Sequence, residues 1–500
     1  MMRVNKKIRL MIIVFSVMFI TIGAHYLWDT RMMGSVTTFN QLENLTKYDI
    51  KAEFFEENMS LQSTQNIIYT NREEESLDNI YLHLYPNAFR KEDKVPFEKE
   101  EMKRAYPNGF DPGYIDINSI KEGKKSIDYK IMGENFVILR ITPTKPLKPG
   151  KTINLTIDFN LKLPNTVGRM GYGENTINIT NWFPIMAVYD EGGWHLDPYY
   201  AIGDPFYSEV AKYNVSFIAP KKYDLASTGD IRKVKENKDK KTYKIEADLV
   251  RDFVIILGEK FEIKESSLGD TKVVSYSIDG QKGDKALQYG VDSLKIFNEL
   301  FGMYPYEQLS VVACDFFIGG MEYPNIVMIS QELYEIKEDF PLEYVVAHEI
   351  AHQWWYGIVG NNEVEEPWLD EALTEYSTLM YFEKKYGHHI KEQIFEKMIE
   401  AQYQKYIDFE MDRGEGILRS LKEFNSSWQY SSIVYSKGAM FVSELRDEMG
   451  DANFIKALRE YFEAFKFKNA STESFYKICQ DNSKKDLKPL FNLWLNGKNE

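Results

Sequence analysis

The sequence predicts a multidomain α+β fold, with an N-terminal membrane helix, then a large antiparallel β-sheet domain, then an α-rich domain. Three observations predict it. A basic cluster precedes an apolar run at the N-terminus, short alternating runs separated by turn residues fill roughly residues 40–254, and the periodicity becomes helical after about residue 258. At 500 residues the chain is long enough for two or three domains. We place their limits at 1–35, 36–257 and 258–500.

The composition is that of a globular chain, with 44% hydrophobic and 27% charged residues. The formal net charge of −15 argues against a nucleic-acid partner, because binding nucleic acid requires a basic surface. The two cysteines, Cys314 and Cys479, lie far apart in sequence without a framework of further cysteines. We therefore expect two buried thiols rather than a disulfide. Neither the substrate nor the oligomeric state follows from the composition.

The N-terminal segment predicts a signal-anchor. The apolar run Leu10–Ala24 extends as far as Trp28, which is just long enough to cross the roughly 30 Å hydrocarbon layer as a helix. Basic residues precede this run, so the N-terminus is expected in the cytoplasm and the rest of the chain outside a cell membrane. These residues are Arg3, Lys6, Lys7 and Arg9. The alternative is a signal peptide cleaved after Ala24, which would release a secreted protein.

Two kinds of element are predicted in the remainder. Alternating apolar and polar residues predict strands at Tyr129–Met132, Phe136–Ile141, Thr152–Phe159 and Tyr213–Ile218. The second part begins with a predicted helix, two strands with a Gly-Gly turn between them, and then an almost wholly helical stretch. These elements are Asp284–Phe301, Leu309–Cys314, Gly319-Gly320, Ile326–Ile329 and the residues beyond Phe340.

The segment His348-Glu-Ile-Ala-His352 carries the clearest chemical signal. Asp339 and Pro341 mark the start of its helix, and a spacing of four residues places both imidazoles on one face, where they can reach one metal ion. Glu349 lies beside them, in position to hold a water against that metal. The alternative is a helix that contains two histidines by chance.

Glu371 makes the metal interpretation much stronger. Eighteen residues separate it from His352, and Pro367 and Gly387 mark the start and end of its own helix. Two histidines and one glutamate, with the fourth position open, are typical of catalytic zinc, whereas structural zinc sites are closed and rich in cysteine. We therefore predict one zinc ion per chain, bound by His348, His352 and Glu371. Asp370 and Glu375 are candidates to orient these ligands.

With these residues assigned, the chain resembles the gluzincin aminopeptidases, the family typified by aminopeptidase N. The resemblance rests on four motifs, with weaker similarity at Thr180–Pro184 and Gly203–Phe206. The motifs are Gly319-Gly-Met-Glu322, His348-Glu-Ile-Ala-His352-Gln-Trp, Trp368-Leu-Asp-Glu371 and Tyr435-Ser-Lys-Gly438. The resemblance covers most of the chain beyond the predicted N-terminal helix. It implies a saddle-like β-sheet domain, a thermolysin-like catalytic domain and peptide substrates.

The resemblance also implies roles for individual residues. Glu349 would be the general base and Tyr435 the donor that stabilises the oxyanion. Glu322 would bind the free α-amine of the substrate. The backbone of Gly319, Gly320 and Met321 would pair with the peptide, and Asn181 would also contact the substrate, at a position where glutamine is common in the family.

The sequence departs from the family at three places. Tyr323 replaces the asparagine that usually follows the amine-binding glutamate, and Phe183 replaces a second amine-binding carboxylate found in many members. The sequence also stops about sixty residues after Tyr435, without the helical C-terminal domain of many relatives. A more open cleft is therefore expected.

The expected activity is removal of N-terminal residues from peptides. Phe183 and the open cleft leave a second possibility, an endopeptidase or oligopeptidase with weak selectivity for the N-terminus. A third possibility is an inactive peptide-binding receptor that kept the fold. Retention of all three metal ligands, the general base and the tyrosine speaks against the receptor.

Overall fold

An eight-stranded sheet is the largest element of the computed structural model, which describes residues 44–410 and 414–497. Its central strands alternate buried residues with more exposed ones, as Lys47–Phe55 does, because one face packs against the core and the other meets solvent. Lys47–Phe55 pairs in parallel with Ala211–Pro220, and the other neighbours are antiparallel. In spatial order the strands are Asp230–Asn237, Lys240–Val250, Ala211–Pro220, Lys47–Phe55, Ser60–Thr70, Thr152–Lys162, Tyr114–Glu122 and Lys125–Ser126.

Smaller antiparallel sheets complete this half. The first is four-stranded and contains, in order, Asp224–Ser227, Ile255–Gly258, Thr176–Ile179 and Gly171–Tyr172. The second is also four-stranded and contains Ile185–Met186, Ile80–His83, Ile138–Ile141 and Tyr129–Met132. The third is the pair of Tyr189–Asp190 with Gly193–Trp194. The strand predicted from Phe136 begins only at Ile138, because Glu134–Phe136 forms a 3₁₀ turn with positive φ at Asn135 and Phe136. Four further 3₁₀ turns in the described residues are Glu56–Asn58, Tyr85–Phe89, Glu92–Lys94 and Leu421–Glu423.

A five-stranded mixed sheet joins the two halves. In order it contains Phe261–Leu268, Thr271–Ile278, Gln308–Cys314, Ile326–Ser330 and Gly320–Met321. Both faces are buried: Val311 and Val327 pack into the helical core, and their neighbours Val312 and Met328 pack into the β core. The predicted Gly-Gly turn is wrong in part, because Gly320 already belongs to the edge strand that pairs with Ile326–Ser330.

Helices make up most of the chain beyond Phe340, as predicted. The described α-helices are Met102–Ala105, Gly283–Leu300, Gln331–Glu335, Phe340–Ala351, Trp368–Tyr386, His388–Ile394, Ala401–Glu410, Ser427–Tyr430, Gly438–Met449, Asp451–Phe465, Thr472–Asp481 and Lys488–Asn496. Two π-helical segments, Phe395–Glu400 and Ser431–Lys437, continue neighbouring helices. The short parallel pair of Val359–Gly360 with Lys468–Asn469 is the exception to the helical pattern.

A buried arginine forms hydrogen bonds that link the β half of the chain to the helical half. Arg251 follows the last residue of a strand in the large sheet and donates to the backbone carbonyls of Tyr356 (2.7 Å), Ser208 (2.8 Å) and Lys468 (2.6 Å). From Lys47 onward the chain forms one compact unit. The domain limit at 257/258 therefore stays a prediction, although it falls at the end of the strand Ile255–Gly258.

Two further predictions concern the cysteines and the membrane helix. Cys314 and Cys479 are both buried free thiols, as expected. Within 44–410 and 414–497, no helix has the length and apolar character needed to cross a membrane. The predicted anchor, Leu10 to Trp28, lies outside the described residues.

Candidate active site

The first site helix, Phe340–Ala351, begins where the sequence predicts. Pro341 lies in its first turn, and Asp339 precedes it, forming ion pairs with Lys282 and Lys285 instead of capping the helix with its side chain. The helix packs against Gly283–Leu300 and the second site helix, so most of it is buried. Burial fixes the two histidine side chains in orientation.

The second site helix, Trp368–Tyr386, brings Glu371 to the histidines from its first turn. Pro367 precedes the helix and Gly387, with a φ of 93°, ends it, both as predicted. A third element, the π-helical segment Ser431–Lys437, carries Tyr435. Gly438 follows this segment, and a Cβ there would lie 2.5 Å from the Cβ of Ala372. The missing side chain therefore lets the tyrosine segment approach the helix of Glu371 closely.

Three potential ligand atoms converge at this point. The Nε2 atoms of His348 and His352 lie 3.2 Å apart. Glu371 Oε2 lies 3.5 Å from Nε2 of His348 and 3.2 Å from Nε2 of His352. Tetrahedral ligands about 2.1 Å from a zinc ion are about 3.4 Å from one another. The observed separations fit that geometry.

Neighbouring groups set the protonation of both histidines. Nδ1 of His352 lies 3.0 Å from the carbonyl oxygen of Trp355, and Nδ1 of His348 lies 2.9 Å from Glu375 Oε2. An acceptor oxygen beside each Nδ1 favours the tautomer with the proton on Nδ1, and in that tautomer each Nε2 presents a lone pair. Tyr344 donates to Glu375 at 2.6 Å and holds it in place. Glu375 is thus positioned to orient a ligand, as the sequence suggested.

The convergent atoms form a suitable set of ligands for a metal ion. The two Nε2 atoms present lone pairs to each other, and Glu371 Oε2 is buried without a hydrogen-bond partner. Three lone pairs directed at one point repel each other unless a cation lies between them. Two nitrogens and one carboxylate oxygen, with a cavity on the fourth side, match the open coordination of catalytic zinc. Asp370 lies next to this set but accepts a hydrogen bond from Asn361 at 2.8 Å rather than from a ligand.

Glu349 faces the same cavity. Burial raises the pKa of its carboxyl to about 7, even though the two imidazoles act in the opposite direction. A pKa near the working pH suits a group that takes up and returns a proton. Gly320, on the edge strand, leaves the space that this carboxylate occupies: a Cβ there would lie 2.2 Å from Glu349 Oε1.

This close approach gives a testable expectation. Gly320→Ala should keep the fold and the metal, because only the end of one side chain must move, yet it should displace Glu349. A misplacement of about 1 Å can cost roughly 10²-fold in rate. Gly319→Ala is the matched control, because its Cβ would meet only Val345 Cγ2, at 3.9 Å. Equal turnover of the two variants, measured with metal content, would contradict this role for Gly320.

Tyr435 closes another side of the site. Its hydroxyl donates to Glu371 Oε1, and its ring stacks on His348 with 5.8 Å between centroids. Burial raises the pKa of this phenol well above its usual value, so it remains a hydrogen-bond donor. The hydroxyl therefore lies at the edge of the metal site, as the oxyanion role requires.

Glu322 lies at the end of the cavity beyond the edge strand. It is 4% exposed, and its Oε1 has no hydrogen-bond partner. Its backbone carbonyl accepts from Gln353 Nε2 at 3.2 Å, so the first site helix region holds the strand in place. Burial and the nearby Asp204 carboxylate raise the pKa of Glu322 well above its usual value. A cationic ligand would stabilise the ionised form of Glu322 against both burial and the negative charge of Asp204.

The cavity has a volume of about 200 Å³, below the roughly 300–1,000 Å³ of pockets for drug-sized ligands. Gly320 and Met321 line it, and pairing of their backbone with a peptide stays a prediction. Residues that sequence reasoning passed over also line it: Pro96, Phe97, Glu101, Arg169, Asp204 and Tyr430. Three of these belong to the charged segment 90–104, which carries no recognisable motif. Asp204 stands in the segment Gly203–Phe206, whose similarity to the family was the available signal.

Three residues named in the comparison with the gluzincin aminopeptidases do not line the cavity. Asn181 donates to Asp252 and accepts from Tyr323 (2.8 Å), so both ends of its amide are engaged. Gly319 accepts a backbone hydrogen bond from Ser330. Phe183 is wholly buried in the β core. Direct substrate contacts by Asn181 and Gly319, and a more open cleft, stay predictions.

The arrangement is of the kind that binds catalytic zinc: the edge of a sheet and two packed helices present two histidines and three glutamates to one cavity. The model of the peptidase family M1 domain matches residues 285–494. These residues, which include the three candidate metal ligands, Glu349, Glu322 and Tyr435, are thus similar to the peptidase family M1 domain.

Individual proteins are also similar to this chain. Aminopeptidase M1-B of Oryza sativa subsp. japonica is 26% identical over 306 residues, covering 57% of this chain and 34% of the relative. Probable aminopeptidase 2 of Sulfurisphaera tokodaii is 24% identical over 310 residues, covering 57% and 38%. The chain thus spans little more than a third of the length of these curated relatives. A crystal structure of an M1 zinc metallopeptidase variant from Deinococcus radiodurans shares the fold, with a TM-score of 0.65 and 17% identity. The match covers 91% of this chain and 95% of that one.

Proposed function

We propose that this protein is a zinc aminopeptidase that removes N-terminal residues from peptides. The observation that carries the proposal is the buried, unpartnered carboxylate of Glu322, which shares one small cavity with the metal-binding set and Glu349. A peptide whose ammonium group pairs with Glu322 would present its first carbonyl near the metal. Both curated relatives described above carry the name aminopeptidase, which supports the same class of activity.

The side chains divide the chemistry among them. A zinc ion bound by His348, His352 and Glu371 would polarise the peptide carbonyl and lower the pKa of the attacking water. Glu349 accepts a proton from that water and passes it to the leaving amine. The Tyr435 hydroxyl donates to the carbonyl oxygen as negative charge develops there. One zinc per chain suffices for this scheme.

An endopeptidase or oligopeptidase is the second candidate. Phe183 contributes no carboxylate to the cavity, so binding of a charged N-terminus depends on fewer acidic groups than in many relatives. An inactive receptor is the third, and hydrolysis that a chelator abolishes would exclude it.

Glu322→Ala distinguishes the first two candidates. A hydrogen bond to a charged group contributes about 1.5–3 kcal/mol, so we expect roughly a 10- to 100-fold loss of kcat/KM on a fluorogenic aminoacyl substrate. An N-acetylated peptide should lose much less. Glu322→Gln, which keeps the shape and removes the charge, should resemble Glu322→Ala. If wild type cleaves free and acetylated peptides equally fast, and the variants affect both equally, the endopeptidase takes the place of the aminopeptidase.

We also propose that the protein is held in a cell membrane by its N-terminal segment, with the peptidase outside the cytoplasm. The basic residues ahead of the apolar run support this orientation. In cells that express the full chain, external protease should degrade the peptidase domain, and alkaline washing should leave it in the membrane fraction. A soluble product that begins just after Ala24 would instead indicate a cleaved signal peptide.

A further inference from the structure

Three carboxylates meet at the end of the cavity beyond the metal site. Asp204, Glu322 and Glu371 each place one oxygen within 4.8 Å of the other two. All three side chains are buried, and Asp204 and Glu322 come from segments far apart in the sequence. Asp204 takes no part in the chemistry described above, so its place beside the other two needs a reason.

Asp204 is held rigidly by a partly buried arginine. Arg169 donates to Asp204 Oδ1, and the same nitrogen donates to the backbone carbonyl of Gly203 at 3.1 Å. Its Nε contacts Met321 Sδ at 3.1 Å, and its guanidinium lies over the ring of Phe206. A carboxylate fixed in this way is preorganised for a ligand, because little conformational entropy remains to be lost on binding.

Glu322 independently indicates that a ligand binds here. Its Oε1 is buried and has no hydrogen-bond partner, although it lines the cavity. A buried oxygen left unpaired costs about the full desolvation of the group. A donor that enters the cavity would therefore gain a hydrogen bond that the protein alone does not provide.

An ammonium group matches this arrangement. It carries three N–H donors in tetrahedral directions, and oxygens that accept from them at about 2.8 Å lie about 4.6 Å apart. The three carboxylate oxygens lie within the corresponding range. A second divalent ion fits less well, because Glu371 would have to bind two metal ions at once and the doubly charged ion would lie near the Arg169 cation, which pairs with Asp204. A single positive charge is more easily accommodated there.

We propose that Asp204 binds the α-ammonium group of the substrate together with Glu322, and so determines selectivity for a free N-terminus. This inference rests on the proposed aminopeptidase function. It assigns to Asp204 the contribution that a carboxylate at the position of Phe183 cannot make, because that side chain is packed in the β core.

Binding of peptides to an enzyme that cannot cleave them tests the proposal directly. In the zinc-loaded Glu349→Gln protein, calorimetry would compare alanyl-phenylalanine with N-acetyl-alanyl-phenylalanine. Adding Asp204→Asn should weaken binding of the free dipeptide roughly 10- to 100-fold, the range for a hydrogen bond to a charged group. Binding of the acetylated dipeptide should change by about twofold or less, the scale within which the effects of independent sites add.

Asp111→Asn is the matched control. Asp111 also forms an ion pair through one oxygen, with Lys162 at 2.6 Å, but it lies outside the cavity. It should change neither affinity. If Asp204→Asn leaves Arg169 unpaired and fails to fold, the double variant Arg169→Gln/Asp204→Asn removes both charges and should show the same selective loss.

Each other outcome has a distinct meaning. If wild-type cleavage discriminates between free and acetylated peptides but the Asp204 variants weaken both dipeptides equally, Asp204 is only a structural partner of Arg169 and the inference fails. If the protein binds two zinc ions and Asp204→Asn binds one, the acidic group is a metal site and the inference also fails. If wild type does not discriminate at all, the proposed aminopeptidase function fails first.

Discussion

Replacing Glu371 by alanine is expected to remove zinc and peptidase activity together. Among the residues that the structure describes, Glu371 supplies the only carboxylate oxygen within 3.5 Å of both Nε2 atoms, and catalytic zinc sites depend on three protein ligands. Without it, the two imidazoles alone would bind the ion weakly. His352→Ala should act in the same way, because its Nε2 lies 3.2 Å from each of the other two ligand atoms. Turnover should fall to the background of the assay in both variants.

Metal analysis of the purified proteins, run beside the activity assay, checks this expectation. Wild type should contain close to one zinc per chain and the two variants much less. Glu383→Gln is a matched control on the same helix, because its carboxylate pairs with Arg446 at 2.7 Å, remote from the ligands. It should keep both zinc and activity. A zinc-free preparation with full activity would overturn the metal assignment.

Local spacing explains why the sequence alone identified this centre. His348 lies in the first site helix and His352 directly follows its last residue with helical backbone angles, so the four-residue interval fixes their relative position. Glu371 follows after a short connection, in a helix whose limits are set by Pro367 and Gly387. The same reasoning located the helix Gly283–Leu300 to within one residue at each end.

The acidic end of the cavity could not be predicted in this way. Arg169, Asp204 and Glu322 are distant in sequence, and only the folding of the β half onto the five-stranded sheet brings them together. The periodicity of the sequence does not indicate that these three residues are close in space. The pairing of Gly320 with the strand Ile326–Ser330 was missed for a related reason, since two adjacent glycines are typical of turns.

Phe183 shows how packing explains a departure from a family motif. Its ring makes edge contacts with Tyr48, Trp182 and Tyr213, at centroid distances of 5.3–5.8 Å, inside the β core. A carboxylate at this position would be buried among aromatic rings without a partner, at a cost of several kcal/mol. The core of this chain therefore favours an apolar residue here, and an amine-binding carboxylate must come from elsewhere.

The second large effect is expected for a variant that loses the general base but still binds zinc. Glu349 is not among the three convergent ligands, so Glu349→Gln should retain close to one zinc per chain. Its amide cannot accept the proton of the attacking water, and loss of a general base costs about 10²–10⁴-fold in turnover. KM should change little, because the residue acts on the water rather than on the bound peptide.

Tyr435→Phe is the companion to this variant, because it removes a donor instead of a base. It should also retain zinc, since the phenol contacts Glu371 from outside the ligand set, and it should lower kcat by roughly 10²–10³, the effect of losing one oxyanion donor. Tyr430→Phe is the matched control: Tyr430 lines the same cavity, with its ring 5.8 Å from that of Tyr435. A larger loss in Tyr430→Phe than in Tyr435→Phe would transfer the oxyanion role to Tyr430. Normal turnover in zinc-loaded Glu349→Gln would leave the mechanism without its base, and another carboxylate of the cavity would have to act in its place.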